Sequence, residues 1–162
     1  MHTALLVAHI VAGSLGLALG PIAMLAPKKA GRHTRSGTAY QVCVAVLCLT
    51  SFGLAALNPD VWWLALVGAA TWISAALGWW AARARPRHWL LVHINGMCSS
   101  YISFVTAFMV VQLGFGSWFA WIAPTAVGAP LIGRATAKWA RIAAARAQAA
   151  APAEERRPSA AA

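Results

Sequence analysis

Acidic residues are almost missing from this 162-residue chain: three Asp and Glu stand against 13 Lys and Arg, and only 10% of residues are charged. A water-soluble domain of this size carries charge on about a quarter of its residues. With 60% hydrophobic residues and so little polar surface, the chain cannot face water all round, so lipid is its expected solvent. The three acids are Asp60, Glu154 and Glu155, all outside the apolar runs. That excludes paired carboxylates and a Ser-His-Asp set within the bundle, and most hydrolytic chemistry with them. Cysteine is scarce too. Cys43, Cys48 and Cys98 sit inside apolar runs at spacings that match no metal-ligand pattern, so they read as packing residues, with no disulfide framework.

What the chain does have is long apolar runs. Thr3–Ala26, Tyr40–Leu57, Val61–Ala82 and Trp89–Leu113 all have transmembrane length, about 17–25 residues. A fifth run, Phe115–Gly133, is broken by Pro124 and Pro130; neighbouring helices can satisfy the freed carbonyls, so a kinked helix is expected. Asn58-Pro59-Asp60 and Gly114 supply turns between runs. The prediction is an all-α integral membrane bundle of five helices, one domain over residues 1–133.

Lys28, Lys29, Arg32 and Arg35 fall between spans one and two; Arg83, Arg85 and Arg87 between three and four; the other six Lys and Arg follow span five. A five-span chain therefore gathers every Lys and Arg on one side. The positive-inside rule then puts the amino terminus outside and the carboxyl terminus in the cytoplasm. Trp62, Trp63, Trp118 and Trp121 fall near outer helix ends, and Trp79, Trp80, Trp89 and Trp139 near inner ends, as two aromatic belts require. The net charge of +10 reads as topology plus attraction to anionic inner-leaflet lipid, not as a nucleic-acid surface. The basic flank of span one follows its apolar run, the arrangement of a retained helix and not of a cleaved signal peptide.

After span five, Arg134, Lys138 and Arg141 recur at helical spacing with Trp139 and Ile142 to one side. This predicts a basic amphipathic helix over 134–150, lying on the inner leaflet or continuing span five into the cytoplasm. Pro152 is expected to stop it, and 151–162 to form a disordered tail.

The chemistry-bearing residues are histidines. His9 shares a face of span one with Gly13, Gly16 and Gly20; small residues permit close helix contact, so this face should point into the bundle. The bland alternative for His9 is a hydrogen bond to a neighbouring helix. His33 lies in a predicted basic loop, "KKAGRHTRSGTAY". Span four carries His93, with Met97, Ser100 and Tyr101 on the same face. An imidazole one turn from a thioether is a soft pair that suits Cu(I) or an axial position on haem. The competing account makes span four a polar core helix held by interhelical bonds of ~0.6 to 2 kcal/mol each.

The blocks "AHIVAGSLGLALGP", "HTRSGTAY" and "HINGMCSSYI" resemble, in order, those of the bacterial predicted membrane proteins catalogued as domain of unknown function 2306. His9, then His33, Gly37 and Tyr40, then His93, Met97, Ser100 and Tyr101 match that pattern, while Thr34 stands where the family usually has arginine. The resemblance covers roughly the first two-thirds of the chain. It implies a multi-pass protein of a bacterial cytoplasmic membrane and raises the standing of His33, Tyr40 and His93 together, but brings no activity.

Helix rise places His9 and His93 at depths differing by ~15 Å in a ~30 Å hydrocarbon core, so they should not share one cofactor. The expectation is instead a haem, metal or quinone site in the cytoplasmic half, with His93 and His33 as metal ligands and Met97, Tyr40 and Tyr101 beside them. The alternative is a non-catalytic membrane subunit or assembly factor, acting with a membrane protein partner or as a homo-oligomer, whose polar residues serve packing. A transporter fits least, since no internal repeat is visible and five spans do not divide into equal halves.

Overall fold

The protein, described as a computed structural model over residues 2–28 and 31–155, is all helix among the described residues. The order is α1 (His2–Leu25), α2 (Arg32–Leu57), a 3-10 turn (Pro59–Val61), α3 (Trp62–Ala84), α4 (Trp89–Leu113) and α5 (Trp118–Glu155). Four stretches, His2–Leu25, Arg32–Leu57, Pro59–Ala84 and Trp89–Leu113, are long and apolar enough to cross a membrane. In α5 the apolar part carries Pro124 and Pro130 and ends at Arg134.

Consecutive helices run antiparallel, and α1 to α4 close a ring in which each lies beside the next. α2 and α4 stand diagonally across this ring and are joined by side chains. α5 packs along the outer side of α4, with Gly128 admitting the side chain of Ile102.

The turns follow local chemistry. Asn58 accepts from the Asp60 backbone N–H at 3.2 Å, the capping that Asn-Pro-Asp supplies. Pro86 disfavours the right-handed helical conformation in Arg85, which takes φ 47°, and His88 at φ 63° completes the reversal before α4. Gly114, at φ 88°, does the same before α5, where a left-handed backbone favours a residue without Cβ. Phe115 is then turned out of the helix between the rings of Trp63 and Trp121, and Trp121 Nε1 donates to Phe115 O at 3.1 Å.

Two boundaries differ from expectation. The predicted loop around His33 is helix: α2 begins at Arg32, not Tyr40. Hydropathy marks where a chain leaves hydrocarbon, whereas the backbone stays helical while its hydrogen bonds continue, and nothing in 32–40 breaks them. Gly37 therefore makes no turn but lies within α2. At the other end, α5 runs without a break through the expected fifth apolar run and past Pro152 to reach Glu155. One missing N–H does not end this helix, because the preceding alanines have the strongest helix propensity. Of the expected disordered tail, 151–155 is thus helical, and 156–162 lies outside the described residues.

The closest helix contact is between α3 and α4. A Cβ on Gly96 would stand 2.6 Å from Ser74 O and 2.7 Å from Gly78 N, so the two backbones touch. The glycine face of α1 also points inward, as expected, but it receives rings and not a backbone. Phe104 lies over Gly16, where an added Cβ would come within 2.7 Å of it, and Tyr101 lies over Gly20. Tyr40, Val44, Cys48, Ala75 and Phe104 form the core.

Candidate functional site

The end of the bundle that carries Lys28, Arg32, Arg83, Arg85 and Arg87 also gathers most of the predicted site residues. Its construction starts with two prolines. A proline has no N–H to give the carbonyl four residues back, so Pro21 frees Leu17 O and Pro27 leaves Ala23 O without a helical donor. Each is taken by a side chain from another part of the fold. Tyr101 Oη donates to Leu17 O at 3.0 Å, crossing over Gly20 to reach it. His33 Nδ1 donates to Ala23 O at 2.8 Å, and Lys28 Nζ reaches the same carbonyl at 3.3 Å and Met24 O beside it. Partial withdrawal from water lowers the Lys28 pKa, opposed by the nearby Cys98 thiol.

On α4, His93 Nδ1 donates to Gly78 O of α3 at 2.9 Å, a bond that the Gly78–Gly96 crossing brings within reach. α2 and α4 run parallel with equivalent positions 60 residues apart, so His33 faces His93 and Tyr40 faces Ser100 two turns further in. The ring centroids of His33 and His93 lie 6.1 Å apart with planes at 82°. A carbonyl can only accept, so both Nδ1 atoms carry a hydrogen, and in the neutral tautomer this selects it is Nε2 whose lone pair is open to a ligand. Such fixing of the tautomer by a backbone carbonyl is how ligating histidines are held.

The remaining candidates all engage protein partners. Ser100 Oγ donates to Met97 O at 2.8 Å, so its lone pair accepts from Tyr40 Oη at 3.0 Å; Tyr40 is 2% exposed and Ser100 0%. Met97 lies with its Cγ against Gly78 and packs on the core cluster. Tyr40, Tyr101 and Met97 thus have their polar atoms on protein partners or their side chains against the core. Elsewhere on α4, Asn95 and Thr106 bond carbonyls of their own helix, Leu91 O at 2.8 Å and Ile102 O at 2.9 Å.

His9 stands apart. Thr50 Oγ1 donates to Val46 O at 2.8 Å and accepts from His9 Nδ1 at 3.0 Å. This is the hydrogen bond to a neighbouring helix expected of a structural histidine, with Thr50 as the partner. No further histidine joins it.

Sequence reading overlooked the carbonyls freed by Pro21 and Pro27, although counting back four residues from each proline would have found them. Gln41 was also overlooked. It is 7% exposed, and its Oε1 is the buried side-chain atom without a partner among the described residues. Also among the described residues, no three His, Cys, Asp or Glu side chains converge to hold a metal ion.

Compared with protein-family models, curated proteins and solved structures, the chain matches none.

Proposed function

We propose that this protein is a multi-pass protein of a bacterial cytoplasmic membrane that holds a small ligand, of the haem, metal or quinone class, between His33 and His93. The observation that carries this reading is the pair itself. Two imidazoles 60 residues apart in sequence meet at 6.1 Å, each with Nδ1 anchored on a backbone carbonyl and Nε2 left for a ligand. Intramembrane ionisable residues are costly and mark functional sites.

In this reading α5 is the fifth span up to Arg134, the basic end faces the cytoplasm, and Arg83 over Trp79 at 3.8 Å is an interfacial cation–π pair. A reporter active only outside the cytoplasm should work when inserted at 58–60 or near Gly116 and fail after Ala150. Activity after Ala150 would leave α5 outside the membrane.

The site is tested by absorption spectra and metal and quinone analysis of purified protein, with His33→Ala and His93→Asn beside it. Ligand lost in both variants while the helices persist supports the reading. Protein free of all three ligand classes after expression with them supplied would favour the second reading, a membrane subunit or assembly factor. The bonded state of Tyr40, Ser100 and Tyr101 speaks for that one.

A further inference from the structure

Taking the two-histidine site as given, we infer that its occupant is a single Cu(I) ion held by Nε2 of His33 and Nε2 of His93. Zn(II) takes about four ligands from His, Cys, Asp and Glu, and no third such group converges here among the described residues. Cu(I) is a d10 ion that is satisfied by two neutral nitrogen donors in a near-linear arrangement.

Charge gives the same answer. An imidazole ligates in its neutral form and brings no negative charge, no carboxylate lies in any of α1 to α4, and Lys28 stands at the neighbouring end of α1. A divalent ion would meet uncompensated repulsion in a low-dielectric setting, and a monovalent ion meets half of it.

Spacing also fits. A ring nitrogen sits about 2 Å from a bound first-row ion and about 1 Å from its own ring centre, so imidazoles on opposite sides of one ion have centres about 6 Å apart. The observed separation is 6.1 Å, whereas a tetrahedral angle would bring the centres to about 5 Å. Haem would need a slot as wide as its macrocycle between the rings. Two shallow grooves lie elsewhere, one along α5 at Arg134 and Lys138 and one between α3 and α4 at Ser74 and Asn95. Each Nδ1 keeps its hydrogen bond to Ala23 O or Gly78 O on binding, and each Nε2 contributes one lone pair.

The test uses the full chain in detergent with Cu(I) under reductant and a colorimetric Cu(I) chelator as competitor. Zn(II) and haem are offered in parallel. One Cu(I) per chain should be retained, with affinity reduced at least about 100-fold by His33→Ala and by His93→Ala and unchanged by His9→Ala. Histidine-dependent binding of Zn(II) or haem without Cu(I) would overturn the copper assignment and leave the two-histidine site standing. Cu(I) binding indifferent to both substitutions, or no binding of any of the three, would overturn the copper assignment and count against the pair as a metal or haem site. Should either variant fail to fold, the copper absorption edge of the unaltered protein decides: two nitrogen neighbours at about 2 Å support the assignment, and a sulfur-dominated shell overturns it.

Discussion

His9, seven residues into α1, and the His33–His93 pair at the basic end are both partly buried, and in all three rings Nδ1 is the anchored atom. They differ in what does the anchoring. His9 leans on Thr50, a side chain that any helix face can present. His33 and His93 lean on backbone carbonyls, one left open by a proline and one brought close by a glycine crossing. A side-chain anchor can be replaced by a small rotation, whereas a backbone anchor moves only if helices move. The comparison teaches that the basic end is held by the architecture, and the His9 contact is one bond added to it.

The strongest way to break that contrast is to push α3 and α4 apart. Gly96→Ala places a methyl within 2.6 Å of Ser74 O and 2.7 Å of Gly78 N. With backbone on the receiving side, the cost should be about 3 kcal/mol, the upper range of overpacking. Thermal unfolding in detergent measures it, and ligand retention should fall too, since His93 loses its register with Gly78. The His9–Thr50 bond, on α1 and α2, should survive.

Tyr101→Phe comes next. It removes the donor to Leu17 O, leaving a part-buried carbonyl open at about 1 to 3 kcal/mol. Pro21→Ala restores the helical donor, so the double variant should lose markedly less than the sum of the two single changes. Additive losses would mean that the proline-freed carbonyl is not what Tyr101 serves.

Gln41→Leu acts in the opposite direction. Relieving an unpartnered buried oxygen should raise stability by about 1 kcal/mol, read as a higher unfolding temperature. A fall instead would show that Gln41 Oε1 meets a donor in the working protein.

Thr50→Val should have the smallest effect, about 0.6 kcal/mol, typical of interhelical bonds in membrane proteins, with no change in ligand retention. If ligand were lost here as readily as in His93→Asn, the two histidine regions would not be independent.

Much of this molecule was legible from residue order alone. Apolar length marked α1, α3 and α4 to within about two residues at each end, because leaving hydrocarbon and ending a helix coincide where Pro27, Pro59, Pro86 and Gly114 follow at once. They did not coincide at His33, where polar residues continue a helix, nor at Pro152, where alanines carry one through. The inward face of His9 was also readable, since glycine spacing alone implies it.

Partner choice was not readable in the same way. Whether Tyr40 would hold a ligand or Ser100 depends on α2 and α4 standing diagonally in matching register, a distance between segments 60 residues apart that no local pattern encodes. The two histidines became a pair for the same reason. The composition of this chain determined that its helices would be long and apolar enough to cross a membrane, since hydrocarbon tolerates only backbone that satisfies itself. Which of its few polar groups would meet was decided by helix packing, where two glycines and two prolines set how close the backbones come and which carbonyls are left to bond.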